Sequence, residues 1–319
     1  MNTSIDLLRV HIERSVIGQA RLTERLLIGL LSGGHLLIEG VPGLAKTTAV
    51  RTLASGLALG FHRIQFTPDM IPGDITGTDI FIPRDGSFQF APGPIFSEIV
   101  LADEINRAPP KVQSALLEAM QERQVTVGGV SRPLPSVFMV IATQNPLEQE
   151  GTYPLPEAQL DRFQMKIRVD YPSAEEELAI LRLANHLAGE RETAAAPLQT
   201  MTREQLDNCR RQAQAIYLDE MLERYIVELV GVTRAPARRD ETLASWISHG
   251  ASPRATLALA HTARARAWLS GRDFVEPDDI IELAPEVLSH RIGLTFAARA
   301  AGVTPAQAVA RMLECVPIP

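Results

Sequence analysis

A glycine-rich segment with a lysine and a threonine, residues 40–47, carries the clearest chemical signal in this chain. It reads GVPGLAKT, follows a short apolar run at residues 35–39 and precedes a helix-like run at residues 48–55. A strand, a glycine-rich turn and a helix in this order form a phosphate-binding loop, in which backbone N–H groups and the positive helix end face an anion. We expect Lys46 to reach the β- and γ-phosphates of a nucleotide and the Thr47 hydroxyl to hold Mg²⁺.

One position of this loop departs from the usual pattern. Ala45 stands where such loops usually have their second glycine. Alanine is well tolerated there if its φ angle is negative and is strained if φ is positive. The alternative interpretation, a plain glycine turn with a surface lysine, is disfavoured by the flanking strand and helix patterns.

Two acids end a second apolar run. Residues 99–102 are followed directly by Asp103 and Glu104. Because a strand beside the phosphate loop ends at the phosphates, we assign Asp103 to the Mg²⁺ shell and Glu104 to the general base that deprotonates water. A solvated strand end is the alternative for the pair taken in isolation.

Three further polar residues are candidates for contact with the γ-phosphate. Asn145 follows the apolar run at residues 138–142 and would position the attacking water, although an asparagine before a proline is also typical of a turn. Arg162 and Arg254 would stabilise transition-state charge. Taken alone, each arginine is better explained as a solvated surface residue.

Hydrophobic periodicity predicts the elements that position these residues. Residues 3–32 are expected to form two helices joined near residues 16–19. Short, mostly unbroken apolar runs predict a parallel sheet covered on both faces. The predicted strands are 35–39, 62–66, 98–103, 137–143 and 164–169.

Two segments interrupt this alternation, and a helical region follows it. Residues 68–94 and 122–136 carry hairpin signals. We place an α/β domain at residues 1–170 and a helical domain at residues 171–319, with residues 189–200 as a connecting loop. The predicted helices of the second domain are 174–188, 202–215, 219–234, 253–269 and 277–289.

Composition restricts the function classes. Hydrophobic residues make up 45% and charged residues 22% of the chain, which is typical of a globular protein. The net charge of −7 argues against a nucleic-acid scaffold. We expect no membrane span and no signal peptide, and cytoplasm is the default location. Cys209 and Cys315 are expected to be reduced thiols.

The amino-acid sequences of the motifs and their order along the chain resemble those of a known family over nearly the whole chain. The chain resembles the MoxR family of AAA+ ATPases, in the magnesium-chelatase-like branch. The resemblance implies a P-loop parallel sheet with helices on both faces, followed by an all-helical lid domain. It also implies that residues 68–94 are an insert within helix 2 and residues 122–136 a hairpin before sensor 1. The motifs are GVPGLAKT, LADEINRAPPKVQSALLEAMQE, ATQNP, LPEAQLDRF and SPRA.

The resemblance also implies roles for individual residues. Asp103 and Glu104 are similar to Walker B, Asn145 to sensor 1, and Arg254 to sensor 2. Arg162 is similar to the arginine finger that acts on a neighbouring subunit, with Arg107 and Arg123 as further candidates for that role. Thr47 and Asp103 would hold Mg²⁺. The expected nucleotide-binding residues are Ile17, Gly18, Gln19, Gly40, Val41, Pro42, Gly43, Leu44, Ala45, Lys46, Thr47, Thr48 and Asp103.

The expected cofactors are therefore ATP and Mg²⁺, and the expected assembly is a ring, most often a hexamer. Family likeness implies chaperone-like maturation, assembly or metal insertion of partner complexes, together with a von Willebrand A domain protein. One alternative is a chelatase-like motor subunit for metal insertion. The other is a nucleotide-gated binding module with little turnover, against which the presence of Glu104 argues, since a pure switch needs no base.

Overall fold

The computed structural model describes residues 3–41, 43–84, 86–146, 151–189 and 201–319. Pro42, one of the predicted nucleotide-binding residues, and most of the predicted connecting loop at residues 189–200 lie outside this part of the chain. In chain order, the elements up to residue 168 are α1 (Thr3–Ser15), α2 (Ala20–Ser32), β1 (Leu36–Glu39), α3 (Lys46–Gly56), β2 (Phe61–Gln65), α4 (Pro72–Thr76), β3 (Gly77–Ile82), β4 (Ser87–Pro92), β5 (Ile99–Asp103), α5 (Pro110–Glu122), β6 (Gln124–Val127), β7 (Val130–Pro133), β8 (Met139–Gln144), α6 (Glu157–Leu160) and β9 (Met165–Arg168).

The remaining elements are mostly helices. They are α7 (Ala174–Gly189), α8 (Arg203–Gln214), α9 (Glu220–Arg234), α10 (Glu241–Trp246), β10 (Ile247–His249), α11 (Pro253–Leu269), α12 (Pro277–Leu288), β11 (Gly293–Leu294), α13 (Phe296–Ala300) and α14 (Pro305–Cys315). The five helices predicted after residue 171 are confirmed within one or two residues at each end.

A five-stranded sheet forms the centre of the fold. Its strand order is β2-β5-β8-β1-β9, and the pairs β2–β5, β5–β8 and β1–β8 are parallel. These are the five strands predicted from the sequence, which confirms the parallel sheet. Every residue of β5 is buried, as expected for a strand covered on both faces.

The sheet places the carboxyl ends of neighbouring strands at one edge. In the register of β2 and β5, Gln65 pairs with Asp103, and in that of β1 and β8, Glu39 pairs with Gln144. The segments that follow β1, β5 and β8 therefore begin side by side, which is where open α/β sheets bind ligands.

Two antiparallel hairpins lie where the sequence predicts them. Strand β3 pairs with β4, and β6 pairs with β7. Arg132 of β7 connects the hairpins, because its guanidinium lies 3.6 Å from an Asp79 carboxylate oxygen and its Cζ atom lies 3.9 Å from the centre of the Phe90 ring. The two hairpins thus contact each other through a shared arginine.

The described residues divide into two compact units. The first contains those within Met1–Leu27, His35–Pro154 and Ile167–Asp207, and the second contains those within Ile28–Gly34, Leu155–Lys166 and Asn208–Pro319. The domain boundary expected at residues 170–171 stays a prediction.

Within the second unit, β10 and β11 form a short antiparallel pair of strands, which the expected all-helical lid domain did not include. Strands of three and two residues are too short to produce a recognisable alternation in the sequence. No described helix of the chain is both long and apolar enough to cross a membrane.

Candidate functional site

A cavity of about 380 Å³ in the first unit collects most of the residues that the sequence singled out. It lies where the phosphate loop, β2, β5 and β8 meet. Its lining residues are Gly43, Leu44, Ala45, Lys46, Thr47, Thr48, Arg63, Asp103, Glu104, Thr143 and Asn145. Gly40 and Val41 belong to the same loop but do not line the cavity.

The phosphate loop holds its lysine in place. Lys46 is the first residue of α3 and is buried, and its Nζ donates to the carbonyl oxygen of Gly40 across the loop. Burial lowers the pKa of Lys46, while the nearby carboxylates of Asp103 and Glu104 oppose that shift. The lysine is thus a partly desolvated cation at a helix N-terminus, where an anion is favoured.

The sequence left open the sign of φ at Ala45, and the structure determines it. Its φ is 53° and its ψ is 18°, which is the left-handed region. This conformation costs a residue with a Cβ atom about 1–2 kcal/mol. The loop therefore retains the backbone shape that glycine would adopt, and alanine bears the strain.

Asp103, the last residue of β5, has partners on both carboxylate oxygens. The Thr143 hydroxyl donates to Oδ1 over 2.5 Å. Arg63 of β2 donates to Oδ2 from Nε and from Nη2, over 2.9 and 2.7 Å. The carboxylate is therefore fixed from β8 on one side and from β2 on the other.

Glu104 lies next along the chain in the left-handed region, with a φ of 58°. Its backbone N–H donates to Thr143 Oγ1 over 2.9 Å, which holds this unusual conformation. Its Oε2 accepts from Gln65 Nε2 at 2.9 Å and from Arg107 Nη1 at 3.0 Å. Both predicted acids thus lie at the cavity, each within a network of named partners.

The cavity suits a magnesium ion by its chemistry. Thr47 and Asp103 both line it, and they supply the hydroxyl and carboxylate oxygens that Mg²⁺ prefers when it keeps several waters and binds substrate phosphates. Within the described residues, no group of three or more His, Cys, Asp or Glu side chains could hold a metal by itself. The donor set therefore fits a metal that is bound jointly with a phosphate ligand.

The remaining predicted residues of the first unit lie in two places. Asn145 directly follows β8, is buried and lines the cavity. Ile17, Gly18 and Gln19 connect α1 to α2 and do not line it. Gly18 has a φ of +77°, so glycine suits the conformation of this turn. A Cβ atom there would lie 3.0 Å from the Glu176 carboxyl carbon, and that side chain would have to shift slightly.

The two predicted arginines belong to the second unit. Arg162 follows α6 and is half-buried. Arg254, at the start of α11, has its Nη1 3.3 Å from Asp161 Oδ2. The same carboxylate accepts from Ser252 Oγ at 2.8 Å and from Arg291 Nε at 3.0 Å. Asp161, which immediately precedes Arg162, is thus the centre of an arginine cluster that contains Arg254.

Sequence reasoning missed Arg63, Gln65 and Thr143. Arg63 and Gln65 lie two positions apart in β2, so their side chains share one face. Thr143 is a buried hydroxyl near the end of an apolar strand. Polar residues at alternate positions near a strand end were the available signal, but only the strand order β2-β5-β8 shows that they meet at Asp103 and Glu104.

Comparison with known proteins agrees with this geometry. Residues 35–165 match the family described as "ATPase family associated with various cellular activities (AAA)", and residues 241–312 match the AAA lid domain. The chain is also similar to the crystal structure of a candidate ATPase from Cytophaga hutchinsonii, with a TM-score of 0.91 and 46% identity, over 100% of this chain and 96% of that one. Fold, loop and family match together define an AAA ATPase with a lid.

Two relatives define the family more narrowly. "Chaperone MoxR1" of Mycobacterium tuberculosis is 47% identical over 97% of this chain and 81% of that protein. "Protein MoxR" of Methylorubrum extorquens is 32% identical over 97% of this chain and 93% of that protein. The chain belongs to the MoxR family of AAA ATPases, whose members have a chaperone-like character.

Proposed function

We propose that the protein hydrolyses ATP in the cytoplasm and uses the cycle to remodel, mature or assemble partner protein complexes. The observation that carries this proposal is the single cavity in which the phosphate loop, the acids Asp103 and Glu104, and the amide of Asn145 come together. A protein that only bound a magnesium nucleotide would need the loop and Asp103, but not a second carboxylate such as Glu104 to act as a base.

Five of the residues that line the cavity then have a chemical task. Lys46 and the loop N–H groups bind the phosphates, and Thr47 and Asp103 hold Mg²⁺, which when bound neutralises phosphate charge. Glu104 accepts a proton from the attacking water, and Asn145 orients that water. Gln65 and Arg107 both donate to Oε2 of Glu104, and the carboxylate has a second oxygen, Oε1, with which to accept the proton.

Replacing the proposed base tests hydrolysis. Glu104→Gln keeps the shape of the side chain and should lower kcat by about 100-fold or more, because general-base catalysis contributes about 10²–10⁴. ATP affinity, measured with a fluorescent analogue, should change by less than about threefold, because uniform binding does not depend on the base. Glu118→Gln on the exposed face of α5 is the matched control and should retain full activity. Normal turnover in Glu104→Gln would refute the assignment.

We further propose a ring, with six subunits as the expected number, in which Arg162 acts on the nucleotide of the next subunit. Arg254, in the lid at residues 171–319, acts on the ATP of its own subunit. Arg162→Ala subunits mixed with Lys46→Ala subunits should recover part of the hydrolysis, since some interfaces then pair an intact loop with an intact arginine. If mixed rings form without recovery, Arg107 and Arg123 become the candidates. The contact between Arg107 and Glu104 of the same chain supports testing Arg162 first.

The partner is proposed to be a von Willebrand A domain protein together with its client complex. Support comes from the family and from a relative named as a chaperone. Glu104→Gln with ATP should trap the assembled state, so mass spectrometry of the proteins that co-purify with it tests the proposal. A von Willebrand A protein in that set supports the remodelling function, and a metal-inserting catalytic subunit would instead support a chelatase-like motor.

A further inference from the structure

The contact between Arg63 and Asp103 has an unusual form. Two guanidinium nitrogens, Nε and Nη2, converge on one oxygen, Oδ2, while the other oxygen is engaged by the buried Thr143 hydroxyl. Arg63 is the only arginine among the described residues that line the cavity. Arg63 therefore occupies Oδ2, the Asp103 oxygen to which the buried Thr143 hydroxyl does not donate.

A metal ion and this guanidinium are in direct competition. Mg²⁺ binds a carboxylate oxygen at 2.0–2.1 Å with near-octahedral geometry. Arg63 Nη2 lies 2.7 Å from Asp103 Oδ2. Two cations on one oxygen at these distances repel each other, and the two Arg63 donors already use both lone pairs of Oδ2. A metal ion that binds Oδ2 must therefore displace at least one of these donors.

Arg63 is free to give way. Its side chain is 43% exposed, whereas that of Asp103 is 12% exposed. Releasing the arginine exposes it to solvent, and a metal that takes its place pairs with the buried Asp103 carboxylate, so the exchange leaves no buried charge unpaired. Its Nη2 also donates to Gln65 Oε1, and Gln65 Nε2 donates to Glu104 Oε2, so the contact is joined to the proposed base.

We propose that Arg63 determines the specificity of the metal site: it excludes free divalent cations from Asp103 and yields only to a metal that arrives with nucleotide phosphates. The phosphates supply both the missing metal ligands and negative charge, which the free ion lacks. This inference rests on the proposed function, in which Asp103 is a metal ligand of an ATPase.

The test measures binding of Mn²⁺ alone by electron paramagnetic resonance, in the absence of nucleotide. Arg63→Gln should bind Mn²⁺ at least about tenfold more tightly than the unchanged protein, because the competing cation is gone. Arg84→Gln, which removes the same charge from an exposed hairpin position, should behave like the unchanged protein. Equal Mn²⁺ affinity in Arg63→Gln and the unchanged protein would overturn the proposal.

A second measurement separates the other roles that Arg63 could have. The affinity for a fluorescent ADP analogue in EDTA should change by less than about threefold in Arg63→Gln, since the proposed competition involves only the metal. A loss of tenfold or more would identify Arg63 as a phosphate ligand and refute the competition. If Arg63→Gln does not fold, Arg63→Lys, which keeps the charge but loses the paired donors, should bind Mn²⁺ more tightly than the unchanged protein by a smaller factor.

The failure of the proposed function would look different. If Mg²⁺ does not strengthen nucleotide binding in the unchanged protein, or if Asp103→Asn leaves that effect intact, the metal assignment itself is wrong. If Asp103→Asn abolishes the effect while Arg63→Gln leaves Mn²⁺ affinity unchanged, only the role of Arg63 is refuted.

Discussion

Two carboxylates, Asp103 in the first unit and Asp161 in the second, each bind arginines, but the arginines differ in burial. The Asp103 and Asp161 side chains are 12% and 15% exposed. The arginine on Asp103, Arg63, is 43% exposed, while Arg291 on Asp161 is 2% exposed. A half-exposed arginine can exchange its partner for water, whereas a buried one cannot without leaving an unpaired charge.

The contacts of Asp103 can therefore rearrange, whereas the buried contact of Asp161 with Arg291 is a fixed structural support. Burial lowers the pKa of Arg291 to about 10, and the Asp161 carboxylate opposes that shift. Arg291 also donates to the carbonyl oxygens of Phe163 and Gln164, so it holds the segment that carries Arg162. Arg254, 48% exposed on the same carboxylate, is the part of this cluster that can move.

The largest expected effect is a loss of stability when the arginine cluster around Asp161 is broken. Asp161→Ala leaves Arg291 buried without its carboxylate, and the loss of one partner of a buried pair costs about 3–5 kcal/mol. The urea midpoint should fall accordingly, and hydrogen exchange should accelerate in residues 155–166. Asp170→Ala, which breaks the exposed pair with Arg168, is the control and should cost less than about 1 kcal/mol. Equal costs in the two variants would contradict the distinction between the regions.

Replacing Thr143 at the cavity should lower stability less than Asp161→Ala does and should mainly lower the rate of ATP hydrolysis. Thr143→Val removes a donor to Asp103 and leaves the Glu104 N–H without its acceptor, at a cost of about 1–3 kcal/mol. Because both acids lose their support, kcat should fall about 10- to 100-fold while the fold persists. Steady-state ATPase assays and thermal melts measure the two effects.

The matched control for Thr143→Val is Thr126→Val. The Thr126 hydroxyl bonds to the Ser131 hydroxyl on an exposed hairpin, so neither rate nor stability should change appreciably. Unchanged turnover in Thr143→Val would show that Thr143 does not position the acids.

The smallest effect is a pH dependence shared by both units. Burial, reinforced by the charge of Arg123, lowers the pKa of His35 to about 4, and burial together with Arg291 lowers the pKa of His290 well below its ordinary value. Because both pKa values are depressed on folding, the unfolded chain binds more protons below pH 6.5, and stability falls as the pH decreases. Each histidine should contribute a loss of about 1 kcal/mol between pH 7.5 and 5.5.

Urea unfolding at the two pH values measures this dependence. His290→Gln should be less stable at pH 7.5 but should lose less stability on acidification than the unchanged protein. His62→Gln, on an exposed position of β2, is the control. The same loss on acidification in His290→Gln and in the unchanged protein would contradict the assignment to His290.

Much of the fold was predictable because its signals are local. Strands β1, β5 and β8 are short apolar runs, and helices such as α9 and α12 show helical periodicity, so their positions are confirmed closely. The strands β10 and β11 and the short helix α13 were missed because two to five residues carry no measurable period. The conformation of Ala45 was left open because composition does not determine the sign of φ.

The sequence by itself determined which chemical groups are present. They are a phosphate loop, two acids at the end of one predicted strand and an asparagine after the next predicted strand of the sheet, and each is recognisable from its neighbours along the chain. Only the tertiary structure decided which side chains meet these groups. Arg63 is 40 residues from Asp103, and Arg291 is 130 residues from Asp161. Such pairings depend on strand order and helix packing, which bring together residues whose separation in sequence leaves no local pattern.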